Sequence, residues 1–326
     1  MSIVPPSGRP EFEGFPAFFE TEIAPYLKSK EGPRRAAVTN YFILIGSIGA
    51  LAAAIGFFAP LGEANVQIAF ITGMLGFAGA TWLLNRTRTD IAHGLLERIC
   101  SKLGFTYRLK LERPDYYDMF KSLGLLPGHN REAWEDEVTG VYAGAPFTLC
   151  EACLKMRTSN GKSSSTRTVF HGQLFLIDYP KRFLGTTVLK RDQGIFNALT
   201  KPGKSFSRVG LASPEFEKAY EAWSTDQVEA RDLLDPIVLE RFQELERLYG
   251  GKKLRAAFTN GNLIIALETG DRLNMGSMFK SLEDRSRVET VLKEFDAVFD
   301  LIDVLLKRAE GKLDTAFSVQ HVRGGA

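Results

Sequence analysis

The sequence predicts an α+β protein: a two-helix transmembrane hairpin followed by a cytoplasmic domain whose mostly antiparallel sheet is packed by helices. Three observations carry that reading. Residues 41–59 and 66–84 are two nineteen-residue stretches without a charge. Residues 138–190 break into β-rich segments separated by turn residues. From residue 213 on, helical spacing returns with N-cap signals ahead of each run.

Composition removes several classes. The chain has 326 residues, 44% apolar and 25% charged, which excludes wholesale disorder, a collagen repeat and a disulfide scaffold. Lys and Arg number 41 against 39 Asp and Glu, a net charge of +2, too balanced for a protein built on nucleic-acid phosphates. Three cysteines fit a reducing compartment.

Residues 1–37 are expected as a short cytoplasmic lead. Within it, residues 15–27 read as an amphipathic helix whose Phe18, Phe19, Ile23 and Leu27 share a face that rests on the bilayer or on the main domain. Each charge-free stretch, as a helix rising roughly 1.5 Å per residue, spans about 29 Å and matches a bilayer core of roughly 30 Å. Pro60 and Gly62 break the chain between them, so residues 38–88 are expected as a tight antiparallel hairpin. Lys28, Lys30, Arg34 and Arg35 precede the first span, Arg86 and Arg88 follow the second, and the connection has no Lys or Arg. That asymmetry puts both termini in the cytoplasm, with Tyr41 and Trp82 at the same interface. Small residues four apart, Ala50 and Ala54, Ala52 and Gly56, Gly76 and Ala80, suit close packing within the hairpin or between copies of the chain.

Residues 89–310 are expected as the soluble domain. Ile91, Leu95, Ile99 and Leu103 extend the second membrane helix or restart it, Gly104 ends it, and residues 114–123 suit a short helix. The β segments of residues 138–190 read as an antiparallel meander with a polar hairpin tip at residues 159–165. Residues 212–250, with ten acids and four bases, read as helical. Ser213-Pro214 starts a helix with Phe216, Tyr220 and Trp223 on one face. Asp235-Pro236 starts another with Val238, Phe242, Leu245 and Tyr249, stopped by Gly250 and Gly251. Asn260-Gly261 signals a two-residue hairpin that sets Phe258 opposite Leu263. Residues 282–307 carry Val288, Val291, Phe295, Val298, Ile302 and Leu305 on a seven-residue repeat, either a face covering the domain's own sheet or a seam for a partner helix. Residues 311–326 are expected as a loose tail.

Few residues suggest chemistry. Cys150 and Cys153 form C-x-x-C, but on a strand positions three apart point to opposite faces, so Cys150 reads as a core residue beside Ala152, Leu154 and Met156. Gly161-Lys162-Ser163 ends like a phosphate loop yet lacks its first glycine, where Met156 stands. His93, His129, His171 and His321 are scattered; His171 shares a strand face with Gln173, as an acid–base candidate or a partly exposed strand histidine. The acids Glu135, Asp136 and Glu137, or Asp226 with Glu229, are either paired carboxylates or ordinary charged surface. No metal, cofactor or catalytic set is assigned.

Residues 181–210 hold seven bases and one acid around Ile195, Phe196 and Leu199. Two readings stand for this stretch. Lys181, Arg182, Lys190, Arg191, Lys201 and Lys204 meet anionic headgroups together with Arg34, Arg35, Arg86 and Arg88, or the bases pair with the acidic region that follows. The order of two membrane helices, Phe170-His171-Gly172 closing on Asp178, Ser213-Pro214-Glu215-Phe216-Glu217, and Ser224-Thr225-Asp226-Gln227-Val228-Glu229-Ala230-Arg231 resembles a bacterial membrane protein family catalogued as domain of unknown function 3137. The resemblance covers roughly residues 35–270 and implies an inner-membrane protein with a cytoplasmic domain; it supplies no catalytic residues. Asp226, Gln227 and Arg231 at its most specific segment read as a capping cluster joining two helices, with Arg231 pairing to Gln227 or Asp235, or as a polar binding site. The expected function is a membrane-anchored cytoplasmic binding or scaffold module, meeting the bilayer and a protein partner or a second copy. The alternative is a tethered enzyme acting on lipid or peptide.

Overall fold

The computed structural model describes residues 3–58, 64–161, 163–191, 202–211, 213–270 and 277–309. The fold is α+β, with two long apolar helices in the N-terminal half and one antiparallel sheet, nine-stranded among the described residues. The chain divides into two compact units, Met1–Leu103 with Leu273–Thr290, and Gly104–Arg272 with Val291–Ala326. The expected connection at residues 60–63, Lys162, the apolar positions Ile195, Phe196 and Leu199, Lys201 and the tail lie outside the described residues.

In the first unit the lead is not separate from the hairpin. Helix α1 (Phe15–Phe18) runs through a π-helical turn (Phe19–Ile23) into α2 (Ala24–Phe58), with Pro33 inside the helix. Phe15, Phe19, Ile23 and Leu27 are buried, so Phe15 replaces the expected Phe18. A spacing of four residues outruns the helical turn of about 3.6, and the wider π turn takes up the difference. Helix α3 (Ala64–Lys102) continues past the apolar stretch without a break and buries Ile91, Leu95 and Ile99, as expected. The two helices pack through small residues. A side chain at Gly56 would meet Ala69, one at Gly73 would meet Ala52, and one at Gly76 would overlap Ile48.

The sheet of the second unit is ordered β1 (Thr106–Leu111), β2 (Arg131–Tyr142), β3 (Ala145–Ser159), β4 (Ser164–Asp178), β9 (Asn262–Glu268), β8 (Lys252–Thr259), β5 (Thr187–Arg191), β7 (Tyr220–Ser224), β6 (Ser207–Val209). Strands β2 (Arg131–Tyr142), β3 (Ala145–Ser159) and β4 (Ser164–Asp178) form the expected meander. Two corrections apply. The sheet starts earlier, with β1 (Thr106–Leu111) and the first half of β2, whose charged side chains pair across the edge strand: Arg108 with Glu137, Lys110 opposite Glu135. Strand β5 (Thr187–Arg191) does not continue the meander but lies between β7 (Tyr220–Ser224) and β8 (Lys252–Thr259).

Ser213 caps α5 (Pro214–Ala219), accepting from the Phe216 N–H at 3.3 Å, yet the helix stops after six residues. Tyr220 and Trp223 sit in β7, because pairing with β5 and β6 (Ser207–Val209) overrides the helical spacing. Helix α7 (Pro236–Leu248) is capped by Asp235 as expected. The Asn260-Gly261 turn, both residues at positive φ, joins β8 to β9 (Asn262–Glu268) with Phe258 opposite Leu263, also as expected.

The centre of the sheet is buried on both faces. Cys150, Ala152 and Leu154 join Phe170, Leu174, Trp134, Ile264 and Ala266 on one face, with Tyr117 and Phe120 of the short helix α4 (Tyr117–Ser122). On the other, Phe147 and Phe105 meet Phe299 of α8 (Ser286–Ala309), and Tyr142 stacks on the same ring at 4.3 Å. All six heptad residues of α8 are buried. Its apolar face is spent within the protein, which leaves the seam expected for a partner helix no open surface.

Candidate functional site

Exposed apolar surface concentrates on the hairpin. Phe42, Ile43, Leu51 and Phe57 on α2 and Val66, Phe70, Met74, Leu75, Phe77 and Trp82 on α3 are exposed, Phe57 by 84% and Phe70 by 71%. Gly56, Gly73 and Gly76 face the neighbouring helix while these large apolar side chains point outward, the reverse of a helix in a soluble core. Both helices are long and apolar enough to cross a membrane, and almost none of either apolar stretch is buried. At the end of the second stretch Arg86 lies over the Trp82 ring at 5.9 Å.

Below the apolar stretch of α2 is a polar clamp that sequence reasoning missed, although its Glu-x-x-Arg-Arg spacing is legible. Glu31 receives Arg34 Nε at 2.9 Å and Nη2 at 2.7 Å, and Arg35 Nε at 2.9 Å. Its second oxygen also accepts the Leu282 N–H at 3.1 Å, while Arg34 Nη1 donates to the Met278 carbonyl at 2.5 Å. The Arg34 hydrogen bonds hold the Glu31 carboxyl well below the usual range, at about 2. Phe279, between these two anchors, is 54% exposed and touches the Tyr41 and Phe42 rings.

The residues expected at lipid headgroups separate accordingly. Arg34 is buried in the clamp and Lys190 is buried in β5, where burial and the charge of Arg255 push its ammonium down, so neither reaches a headgroup. Arg191 is tied to Glu246 at 2.8 Å and lies over Tyr220, and Arg208 approaches Glu221 at 3.7 Å. Those two contacts follow the pairing of basic with acidic region. Arg35, Arg86, Lys181, Arg182 and Lys204 are exposed, and Arg88 is half-buried.

At the expected polar junction Asp226 caps α6 (Gln227–Leu233), accepting from the Val228 and Glu229 N–H groups at 3.0 and 2.9 Å. Glu229 in turn accepts the Leu184 and Gly185 N–H groups at 2.7 and 2.8 Å, and Thr225 Oγ1 accepts that of Thr186 at 2.9 Å. Gly185 has no room for a side chain: a Cβ would lie 2.7 Å from Thr225 Oγ1 and 2.9 Å from the Asp226 Cβ. Gln227 donates to the Ser207 carbonyl at 3.1 Å, and Arg231, expected to pair with Gln227 or Asp235, is exposed. The cluster therefore fixes the loop before β5 to the start of α6.

Residues 168–307 match the model of a family described as protein of unknown function (DUF3137). The resemblance holds, over a range shifted towards the C-terminus from the one expected. A crystal structure of the mycobacterial trehalose monomycolate transport factor A, TtfA, is similar at 13% identity, covering 66% of this chain and 92% of that one with a TM-score of 0.35. That likeness is distant and nothing about this chain follows from it. No curated protein matches the chain.

Within the matched segment His171 Nε2 lies 2.9 Å from Glu151 Oε1, and Gln173 donates to Glu151 Oε2 at 2.9 Å. Glu151 is buried and was not singled out from sequence; its place opposite Gln173 appears only once β3 and β4 are paired. Cys150 is buried in the core, where burial pushes its thiol up to about 12, and Cys153 faces the other way beside His171. Glu137 and Asp136, at a β2 bulge, receive Arg108 and Tyr107 respectively, so these acids hold the sheet edge.

Proposed function

We propose that the chain is an integral membrane protein whose hairpin crosses the bilayer twice, with both ends and the sheet domain in the cytoplasm, and that the sheet domain is a membrane-anchored binding or scaffold module. One observation carries the reading. Two charge-free helical stretches turn Phe, Leu, Ile, Met and Val side chains outward along their length, which in water would forfeit about 25 cal/mol per Å² of apolar surface. The cytoplasmic side follows from Lys28, Lys30, Arg35, Arg86 and Arg88 at the helix ends. The inner membrane of a bacterium is the setting the family resemblance suggests. Exposed Arg35, Arg86, Lys181, Arg182 and Lys204 remain the proposed headgroup contacts. Gly56, Gly73 and Gly76 are used in the hairpin's own packing, whereas Ala50 and Ala54 stay exposed, so a second copy or protein partner would meet the hairpin there or the sheet domain. Washing isolated membranes at alkaline pH tests the anchor: the chain should stay in the pellet and be released only by detergent. Release into the alkaline supernatant would contradict it.

A further inference from the structure

We propose that the loop of residues 277–283 is a third membrane contact, in which Phe279 enters the interfacial layer of the bilayer beside the start of the first span. The proposal rests on the spanning reading above. The loop is built to hold one shape. Met278 and Leu282 are buried on either side of Phe279, which points out between them. Arg34 holds the Met278 carbonyl and Glu31 holds the Leu282 N–H. Arg287 braces the same loop from its other end, donating to the Ser277, Lys280 and Ser281 carbonyls at 2.8, 3.2 and 3.2 Å. So much hydrogen bonding around an exposed aromatic ring is costly to order unless the ring has a use.

The surface it joins identifies the occupant. The Phe279 ring lies 5.8 Å from Phe42 and 6.0 Å from Tyr41, the first two residues of the charge-free stretch, and Phe42 is itself 58% exposed. Phe279 thus extends the lipid-facing surface of the hairpin by one ring at the depth where aromatic side chains are favoured. Lys280 beside it is exposed and suits anionic headgroups. Arg34, Glu31 and Arg287 are positioning residues for this contact.

The test uses the full chain reconstituted in phosphatidylcholine vesicles, with or without bromine near the headgroup end of the acyl chains. In the wild type, Trp82 is exposed at the end of the second span while Trp134 and Trp223 are buried, so bromine quenching of Trp82 reports the hairpin alone. In a Trp82→Phe, Phe279→Trp variant the same quenching reports the loop. The expected result is an about twofold loss of the position-279 emission in brominated vesicles. Quenching at Trp82 with none at position 279 would overturn the loop contact and leave the spans standing. Absence of quenching at both would overturn the spanning reading and the loop with it. Adding Arg34→Lys should weaken quenching at position 279 while the circular dichroism stays that of the parent; undiminished quenching would remove the positioning role.

Discussion

Glu31 concentrates more of the first unit's polar bonding than any sequence motif suggested. Its carboxylate serves two guanidinium groups and one backbone N–H, and its side chain and that of Arg34 are about nine-tenths buried. Replacing it by Gln leaves Arg34 buried against a neutral amide, at a cost of about 1.5–3 kcal/mol, as for other hydrogen bonds to charged groups. Because the carboxyl is held at about 2, below its ordinary 4.5, its stabilisation is full above that ordinary value and fades as pH falls between the two. Denaturant unfolding in detergent should show the gap between wild type and Glu31→Gln at pH 7 and its narrowing at pH 3. A gap that is constant with pH would contradict this account of the clamp. The Glu31-Arg34-Arg35 spacing was visible in the sequence, but its partners at residues 278 and 282 were not, since nothing local links positions so far apart. For the same reason the sequence offers Arg34 to lipid headgroups although it is buried.

Among the elements, the hairpin was the most legible, because absence of charge over nineteen residues is a signal no neighbour can alter. Its packing can be tested at one contact. Gly76 leaves room for Ile48, and a methyl there would overlap that side chain. Gly76→Ala should therefore destabilise the helix pair by about 1–3 kcal/mol, and Ile48→Ala should relieve it in the double variant. Additive effects, read from unfolding titrations in detergent, would place the two residues out of contact. Strands fared less evenly. The Asn260-Gly261 hairpin was read to the residue because its turn is local. Strand β1 and the first half of β2 were missed because their alternation carries Arg, Lys and Glu, which pair across an edge instead of pointing into a core. Strand β7 was mistaken for helix because Phe216, Tyr220 and Trp223 also fit a helical face; only the position of β5 decides between them.

At the scale of the whole molecule, several charges of the second unit are satisfied internally. Glu246 holds Arg191 and the Tyr220 hydroxyl, Glu229 holds a loop, and Glu137 holds the sheet edge, so the acidic and basic regions that looked like separate surfaces partly neutralise one another. The segment around Asp226 likewise ties the loop before β5 to the start of α6. What remains unexplained by internal packing is the hairpin's apolar exterior, and the central claim is that lipid covers it. The direct measurement is the side of the membrane on which each end lies, read from a cytoplasm-maturing fluorescent reporter and a periplasm-dependent phosphatase, fused in turn before residue 3 and after residue 310. Two spans predict fluorescence and silent phosphatase at both positions. Active phosphatase at either end would contradict the two-span, cytoplasmic-ends account.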